Sequence, residues 1–163
     1  MSPAEQIRKL RGLAQLEEAC GLAVALAALS PEDFELQYEA ACIHDFLGRE
    51  AQAIPYYLAA LAGNLNADQL RAAYLGLGST YRALGQYIEA EKILCEGLTR
   101  FADAAELKTF LAMTLHNLGR SKEAVEMLLT VLAQSSADTH VQVYRKAILF
   151  YAQDIEKTWS NAV

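Results

Sequence analysis

The sequence predicts an all-α chain: a right-handed superhelix of about nine helices in antiparallel pairs, finished by a C-terminal capping helix. Two observations carry this. Apolar residues recur at three- and four-residue spacings throughout, with turn signals between runs of about twelve to eighteen residues, and no stretch alternates as a strand would. One short phrase also returns three times, as Asp45-Phe46-Leu47-Gly48-Arg49, Ala83-Leu84-Gly85-Gln86 and Asn117-Leu118-Gly119-Arg120, each followed five residues after its glycine by Ala53, Ala90 or Ala124. The glycines stand 37 and 34 residues apart, a period at which one helix–turn–helix unit stacks on the next to bury a face it cannot bury alone. With 163 residues, 53% of them hydrophobic, the chain makes one domain with a sizeable core.

Helix starts are legible from capping chemistry. Ser2-Pro3-Ala4-Glu5 opens the first helix as a capping box with proline at the first helical position, and Ser30-Pro31-Glu32-Asp33 opens the third in the same way. Asn66 with Gln69, and Asp103 with Glu106, mark two further starts. Gly48, Gly85 and Gly119 each sit just past an apolar run, where a left-handed cap is needed, and the second helices begin near Glu50, Tyr87 and Ser121. Ala53, Ala90 and Ala124 fall where paired helices cross closely, and Ala60, Gly97 and Val131 take the corresponding place seven residues on.

Two places depart from this regularity. Pro55 removes an amide donor and presses on the carbonyl of Ala51, so its helix either starts late or bends. The three residues added to the first period lie in Gly63-Asn64-Leu65-Asn66, read as a glycine cap followed by a new N-cap. From Asp138 on, Val141, Tyr144, Ile148, Tyr151, Ile155 and Trp159 form the stripe of the capping helix.

Charge and cysteine narrow the function classes. A formal net charge of −6, with no helix face that clusters Lys and Arg, argues against nucleic-acid and membrane-surface partners. Cys20, Cys42 and Cys95 lie in apolar-patterned helices without paired spacing, as reduced thiols of an intracellular, cytoplasmic protein would. The apolar run Ala19 to Leu29 follows Arg8, Lys9 and Arg11 like a targeting signal. Glu17 and Glu18 abut it, no Ala-x-Ala site directly follows, and eleven residues are too few to span a bilayer, so a buried helix is the reading adopted.

The middle copy resembles the tetratricopeptide repeat family nearly throughout, with Tyr74, Leu77-Gly78, Tyr81, Gly85, Tyr87, Ala90 and Leu94 in the family's order. The first copy keeps Gly48, Ala53, Tyr57 and Ala60 but has Ala40-Ala41 for the Leu-Gly pair and His44 for the tyrosine. The third keeps Leu111-Ala112, Leu115, Gly119, Ala124 and Leu128. The chain is thereby similar to short stand-alone bacterial proteins of this type whose role is unassigned. The resemblance divides it into a partial N-terminal copy over about 1–33, repeats over 34–67, 71–104 and 105–138, and a cap over 139–163. Leu13 to Pro31 then stands as the second helix of a degraded copy.

What the resemblance implies is a concave groove, lined by first helices, that receives a peptide or helix of a partner protein. Carried onto this chain, the groove-facing positions include Tyr38, Cys42, Asp45, Leu75, Ser79, Arg82, Thr109, Met113, His116 and Val143. Glu35, Ala72, Glu106, His140, Ala147 and Phe150 extend the same face. The lining is mostly apolar and small, suited to an extended or amphipathic segment, with Asp45 and Glu106 placed to help if that segment is basic. The family's clamp of Lys, Asn and Arg for a C-terminal carboxylate is absent, because Tyr38, Cys42, Gly76, Glu106 and Phe110 stand where it would need basic or amide groups.

Three other readings compete. The groove residues pack on one another or under a long capping helix. His44, His116 and His140 form an enzyme or zinc site, which needs a third ligand that no spacing supplies. Or the chain forms a homodimer through Tyr56, Tyr57, Leu58 and Leu61, or through Phe150 and Trp159. The expectation is a non-enzymatic interaction scaffold with no cofactor, no metal and no catalytic residues.

Overall fold

The computed structural model of the chain describes residues 1–158. Among these residues there are ten helices and no strand. Eight of them, α1 (Pro3–Gly12), α2 (Leu16–Leu29), α3 (Phe34–Phe46), α4 (Glu50–Leu61), α5 (Ala67–Ala83), α6 (Tyr87–Arg100), α7 (Ala105–Asn117) and α8 (Ser121–Ser135), form four successive pairs. Each helix packs on its pair partner, and α2, α4 and α6 also pack on the first helix that follows, while α1, α3, α5 and α7 touch in sequence along one side. Two short segments, α9 (Thr139–Val143) and α10 (Arg145–Tyr151), follow.

The turn inside each pair is built the same way. Gly48, Gly85 and Gly119 have φ of 66°, 75° and 81°, the left-handed region that suits a residue without Cβ. The next amide then reaches back to a carbonyl five residues earlier: Arg49 to His44, Gln86 to Tyr81 and Arg120 to Leu115, each at 2.9 Å. The α1–α2 turn repeats this wiring, Gln15 donating to the Leu10 carbonyl at 3.0 Å, with Ala14 held at φ 58°. Ala14 lies 34 residues before Gly48, and fully buried Ala19 lies 34 before Ala53. The opening segment is therefore in register with the later pairs, with alanine in the place of the glycine.

Helix starts follow local chemistry with two corrections. Ser2 and Glu5 form the expected reciprocal box, and the Asn66 side chain accepts from the Gln69 amide at 2.9 Å. Ser30, however, ends α2, and α3 is opened by Asp33, whose carboxylate accepts from the Leu36 amide at 3.1 Å. At α7 the cap is Ala104, without a side-chain bond. Ala104 is buried in a cluster with Tyr74, Leu107 and Leu111, so packing rather than Asp103 sets that start.

Pro55 sits inside α4, which begins at Glu50 and runs on to Leu61. Both Pro55 and Ala51 are exposed, so the carbonyl that loses its donor faces water. Gly63 lacks a positive φ and is not a left-handed cap. Its role is space: a Cβ there would lie 1.9 Å from the Phe34 ring. The crossing alanines Ala53 and Ala90 are fully buried and Ala124 nearly so, and a Cβ on Gly97 would meet that of Tyr74 at 2.9 Å. Val131, in the corresponding place of the third copy, is only half-buried.

The C-terminal stripe is not one capping helix. It is interrupted at Tyr144, and Trp159 lies outside the described residues. The segment α10 packs on α8, and beyond it Ala152 is buried beside Leu98 of α6 and Met127 of α8. Lys122, in the first turn of α8, pairs with Asp154 at 2.7 Å and Glu156 at 3.4 Å. The chain thus returns along α8 on the side of the second helices, away from the row of first helices.

Ala14→Gly is expected to raise stability by about 0.5–1 kcal/mol in urea unfolding, because the left-handed strain of an L-residue outweighs the added freedom of the unfolded chain. Gly63→Ala is expected to lower it by about 2 kcal/mol, since the Phe34 ring must move out of a packed contact.

Candidate functional site

First helices leave one side outside the core because their other side is spent on it. On α5, Ala73, Tyr74, Leu77, Gly78 and Thr80 are buried, which leaves Ala72, Leu75, Ser79 and Arg82 half-buried on the opposite side. The same division puts Tyr38, Cys42 and Asp45 of α3, and Thr109 and Met113 of α7, half-buried in the matching place. His116 is exposed at the end of α7. Val143 stands apart on α9, 76% exposed, next to Gln142, whose amide donates to the Ser136 carbonyl at 2.6 Å.

Polar bonds tie adjacent first helices together. Glu39, 1% exposed, receives Arg8 at 2.7 Å and Arg11 at 3.1 Å. Gln69 donates to Glu35 at 3.1 Å, Arg71 forks onto both oxygens of Glu106, and Arg82 donates to Asn117 at 2.9 Å. Arg71 holds the Glu106 carboxylate below its usual range. These contacts use charges that the sequence left available to a partner.

Asp45 is committed in the same way. It accepts from the Tyr57 hydroxyl at 2.7 Å and the Thr80 hydroxyl at 3.0 Å, joining α3, α4 and α5. Burial pushes its carboxyl above the ordinary carboxylate value even though both hydroxyls favour the ionised form. Burial also raises the Cys42 thiol, which argues against a reactive thiolate there. Neither Asp45 nor Glu106 is therefore free to select a basic segment. Beside them the reading from sequence missed Phe46, 64% exposed at the end of α3. It lines an open cavity of about 280 Å³ with Cys42, Asp45 and Tyr57, and the Arg11 guanidinium lies 5.3 Å from its ring centre. Its place in the turn phrase disguised it as part of the helix end.

A second cavity, of about 240 Å³, brings three of the predicted residues together. Arg82, Met113 and His116 line it with Val125 and Leu128 of α8, over a floor of Ala112 and Ala124.

The histidines do not converge. His44 is buried, its Nδ1 2.7 Å from the Ala40 carbonyl, its ring stacked on Tyr56 and its Nε2 3.9 Å from the Cys20 sulfur. His116 faces the Ser121 hydroxyl at 3.0 Å, and His140 is exposed on α9. Among the described residues no group of three His, Cys, Asp or Glu side chains is placed to hold a metal, and no helix is long and apolar enough to cross a membrane. The aromatic patch considered for self-association is also largely absorbed: Tyr57 is buried, Tyr56 and Leu61 are half-buried, and only Leu58 of that set is exposed.

The family model for the tetratrico peptide repeat matches residues 34–155. The chain belongs to the tetratricopeptide repeat family. Its fold is shared with MamA, residues 41 to the end, from Desulfovibrio magneticus RS-1, at a TM-score of 0.72 and 18% identity over 83% of this chain and 76% of that one. A putative kinesin light chain from Podosopora anserina with nearly identical TPR-like repeats gives 0.67 and 19% identity over 92% and 83%. The Cut9–Hcn1 hetero-tetramer of the APC/C gives 0.68 and 20% over 93% of this chain and 29% of that one. No curated protein sequence matches the chain. The family supports a general role as a protein-interaction scaffold; a tetratricopeptide fold is typically a non-catalytic module.

Asp45→Ala is expected to cost about 2–4 kcal/mol, because two part-buried hydroxyls lose their acceptor, and Asp45→Asn less than half of that. The pH dependence follows from the raised carboxyl: the folded chain binds this proton more tightly than the unfolded chain. Stability of the wild type relative to Asp45→Asn should therefore rise as pH falls through the folded-state value, and level off below the unfolded one. Urea titrations of both proteins between neutral and acidic pH check the sign.

Proposed function

We propose that the chain is a non-enzymatic scaffold that holds an extended or amphipathic segment of a partner protein along the concave side of α3, α5 and α7. The observation that carries this is the character of that row. Tyr38 and Cys42, Leu75 and Ser79, and Thr109 and Met113 are each half-buried, uncharged and repeated on successive first helices. A segment laid across them meets shallow apolar depressions at a helix-to-helix step, the way short peptides gain affinity from periodic side-chain pockets. The charges nearest the row are engaged within the protein, so recognition falls to shape and apolar contact rather than to a basic ligand. The described part of the C-terminal segment runs along α8 and leaves this row uncovered, which favours an open groove over one filled from within. A cytoplasmic setting suits three unpaired thiols.

Ser79 is the best place for a test, since its hydroxyl bonds the Gly76 carbonyl of its own helix at 2.9 Å. Ser79→Arg should keep helicity and melting temperature nearly unchanged while lowering affinity at least ~10-fold for peptides selected from a random library on the wild-type chain; cross-linked prey from a native lysate should be lost in parallel. Selected peptides that bind both proteins equally would remove the groove assignment. Leu75→Arg is less clean, because Leu75 also packs against the cluster around Tyr74 and Leu107.

A further inference from the structure

The internal repeat puts one residue of each first helix in the same place near the end of the row. At intervals of 34, 37 and 34 residues these are Arg11, Asp45, Arg82 and His116. Arg11 and Asp45 are spent inside the protein: the first pairs with buried Glu39 at 3.1 Å, and the second accepts from the Tyr57 and Thr80 hydroxyls. His116 is exposed and faces the Ser121 hydroxyl at 3.0 Å. Arg82 is different. It is half-buried, its Nε donates to the Asn117 side-chain oxygen at 2.9 Å, and among the described residues it has no carboxylate partner.

A second arginine of α5 shows what a neutralised side chain looks like here. Arg71, nearer the start of the helix, crosses to α7 over an interval of 35 residues and forks onto both oxygens of Glu106. Arg82 crosses between the same two helices over the same interval and meets a neutral amide. The first link cancels charge, whereas the second holds the side chain in place and leaves its charge standing. With Nε used, the N–H groups of both terminal nitrogens remain, in the planar fork that matches a carboxylate. Arg82 also lines, with Met113 of the row, the cavity of about 240 Å³ whose other walls are mostly apolar, and no carboxylate of the described residues lines it. Beside so little polar surface an opposite charge is attracted more strongly than in open water.

We infer that Arg82 is a specificity-determining residue of the row, and that it takes an Asp or Glu side chain of the bound segment at the step between α5 and α7. The inference rests on the segment-binding reading proposed above. Apolar contact along Leu75 and Met113 holds the segment, and the carboxylate on Arg82 fixes its register. The preference belongs to one place only. An acid one step earlier, beside α3, meets Asp45 instead, and the chain as a whole carries a net charge of −6. A carboxylate is therefore accepted only where a local cation outweighs that field.

A random peptide library selected on the full wild-type chain should return Asp or Glu at one fixed place relative to the apolar anchors. The strongest peptide and its amide counterpart, with Gln for Glu or Asn for Asp at that place, are then titrated by fluorescence anisotropy against the wild type, Arg82→Gln and Asn117→Asp. On the wild type the amide peptide should bind about 10-fold more weakly, the size of one charge-assisted hydrogen bond. On Arg82→Gln the two peptides should differ by less than about 2-fold. Asn117→Asp keeps the link between α5 and α7 but supplies the carboxylate from within, so it too should erase the difference, with helicity and melting temperature unchanged. Selected peptides without a fixed acid, or an acidic preference that persists in both variants, would overturn the role of Arg82. Ser79→Arg separates the two readings. If it abolishes binding of peptides that carry no fixed acid, the row stands and the Arg82 assignment alone fails; if it leaves binding unchanged, the row is wrong and the role of Arg82 falls with it.

Discussion

Everything in this solenoid depends on the left-handed residue between paired helices. One such residue reverses the chain in three positions, and the amide that follows it closes on a carbonyl five residues back, so the second helix must return along the first. Because the turn is repeated with the same wiring at residues 14, 48, 85 and 119, each pair presents the next with the same face. Stacking geometry is then inherited rather than specified anew, and the crossing positions need only be small. Ala53, Ala90 and Gly97 meet that need, and Gly97 does so against the Tyr74 Cβ itself. At residue 14 the wiring survives with alanine, which shows that the hydrogen bonds and the burial of Ala19 and Ile7 outweigh the cost of the strained φ.

A second layer of constraint runs across the repeats. The links Arg8 to Glu39, Glu35 to Gln69, Arg71 to Glu106 and Arg82 to Asn117 join successive first helices, while Glu17 with Arg49 and Glu91 with Arg120 join other elements of neighbouring pairs. Most of these are at least part-exposed and contribute little stability one by one. Their physical effect is directional: the first four each fix one first helix relative to the next. Glu39 differs, because it is buried between two guanidiniums, and removing either would leave charge in a place that cannot hydrate it.

The turns and helix starts were legible because they rest on backbone requirements that few residue types satisfy. A glycine past an apolar run, or an Asn with a Gln three residues later, has one economical conformation. Where a residue type is permissive, the reading slipped. Ser30 and Asp33 both cap helices in principle, and only the path of the chain after Pro31 assigns the start to Asp33. Gly63 looks like a cap until the Phe34 ring beside it is known. Ala14 hides a turn because alanine carries no turn signal, although the 34-residue interval to Gly48 was present in the sequence. The candidate groove shows the same split. Which side of each first helix stays outside the core follows from helical periodicity, but that Asp45 and Glu106 are already occupied depends on contacts 12 to 35 residues away.

The first and last described pairs differ in what they expose. In the first pair, α1 turns Glu5, Gln6 and Lys9 to solvent while Ala4 and Ile7 are buried. At the C-terminus the segment with the composition of a cap is drawn onto the flank of α8 by Lys122, Glu126 and the burial of Ala152. A cap placed on the flank protects the outer side of the last pair yet leaves its stacking face apolar. That face also adjoins the row of first helices, because one cavity is lined both by Arg82 and Met113 of the row and by Val125 and Leu128 of α8, so a substitution at Met113 acts on both at once.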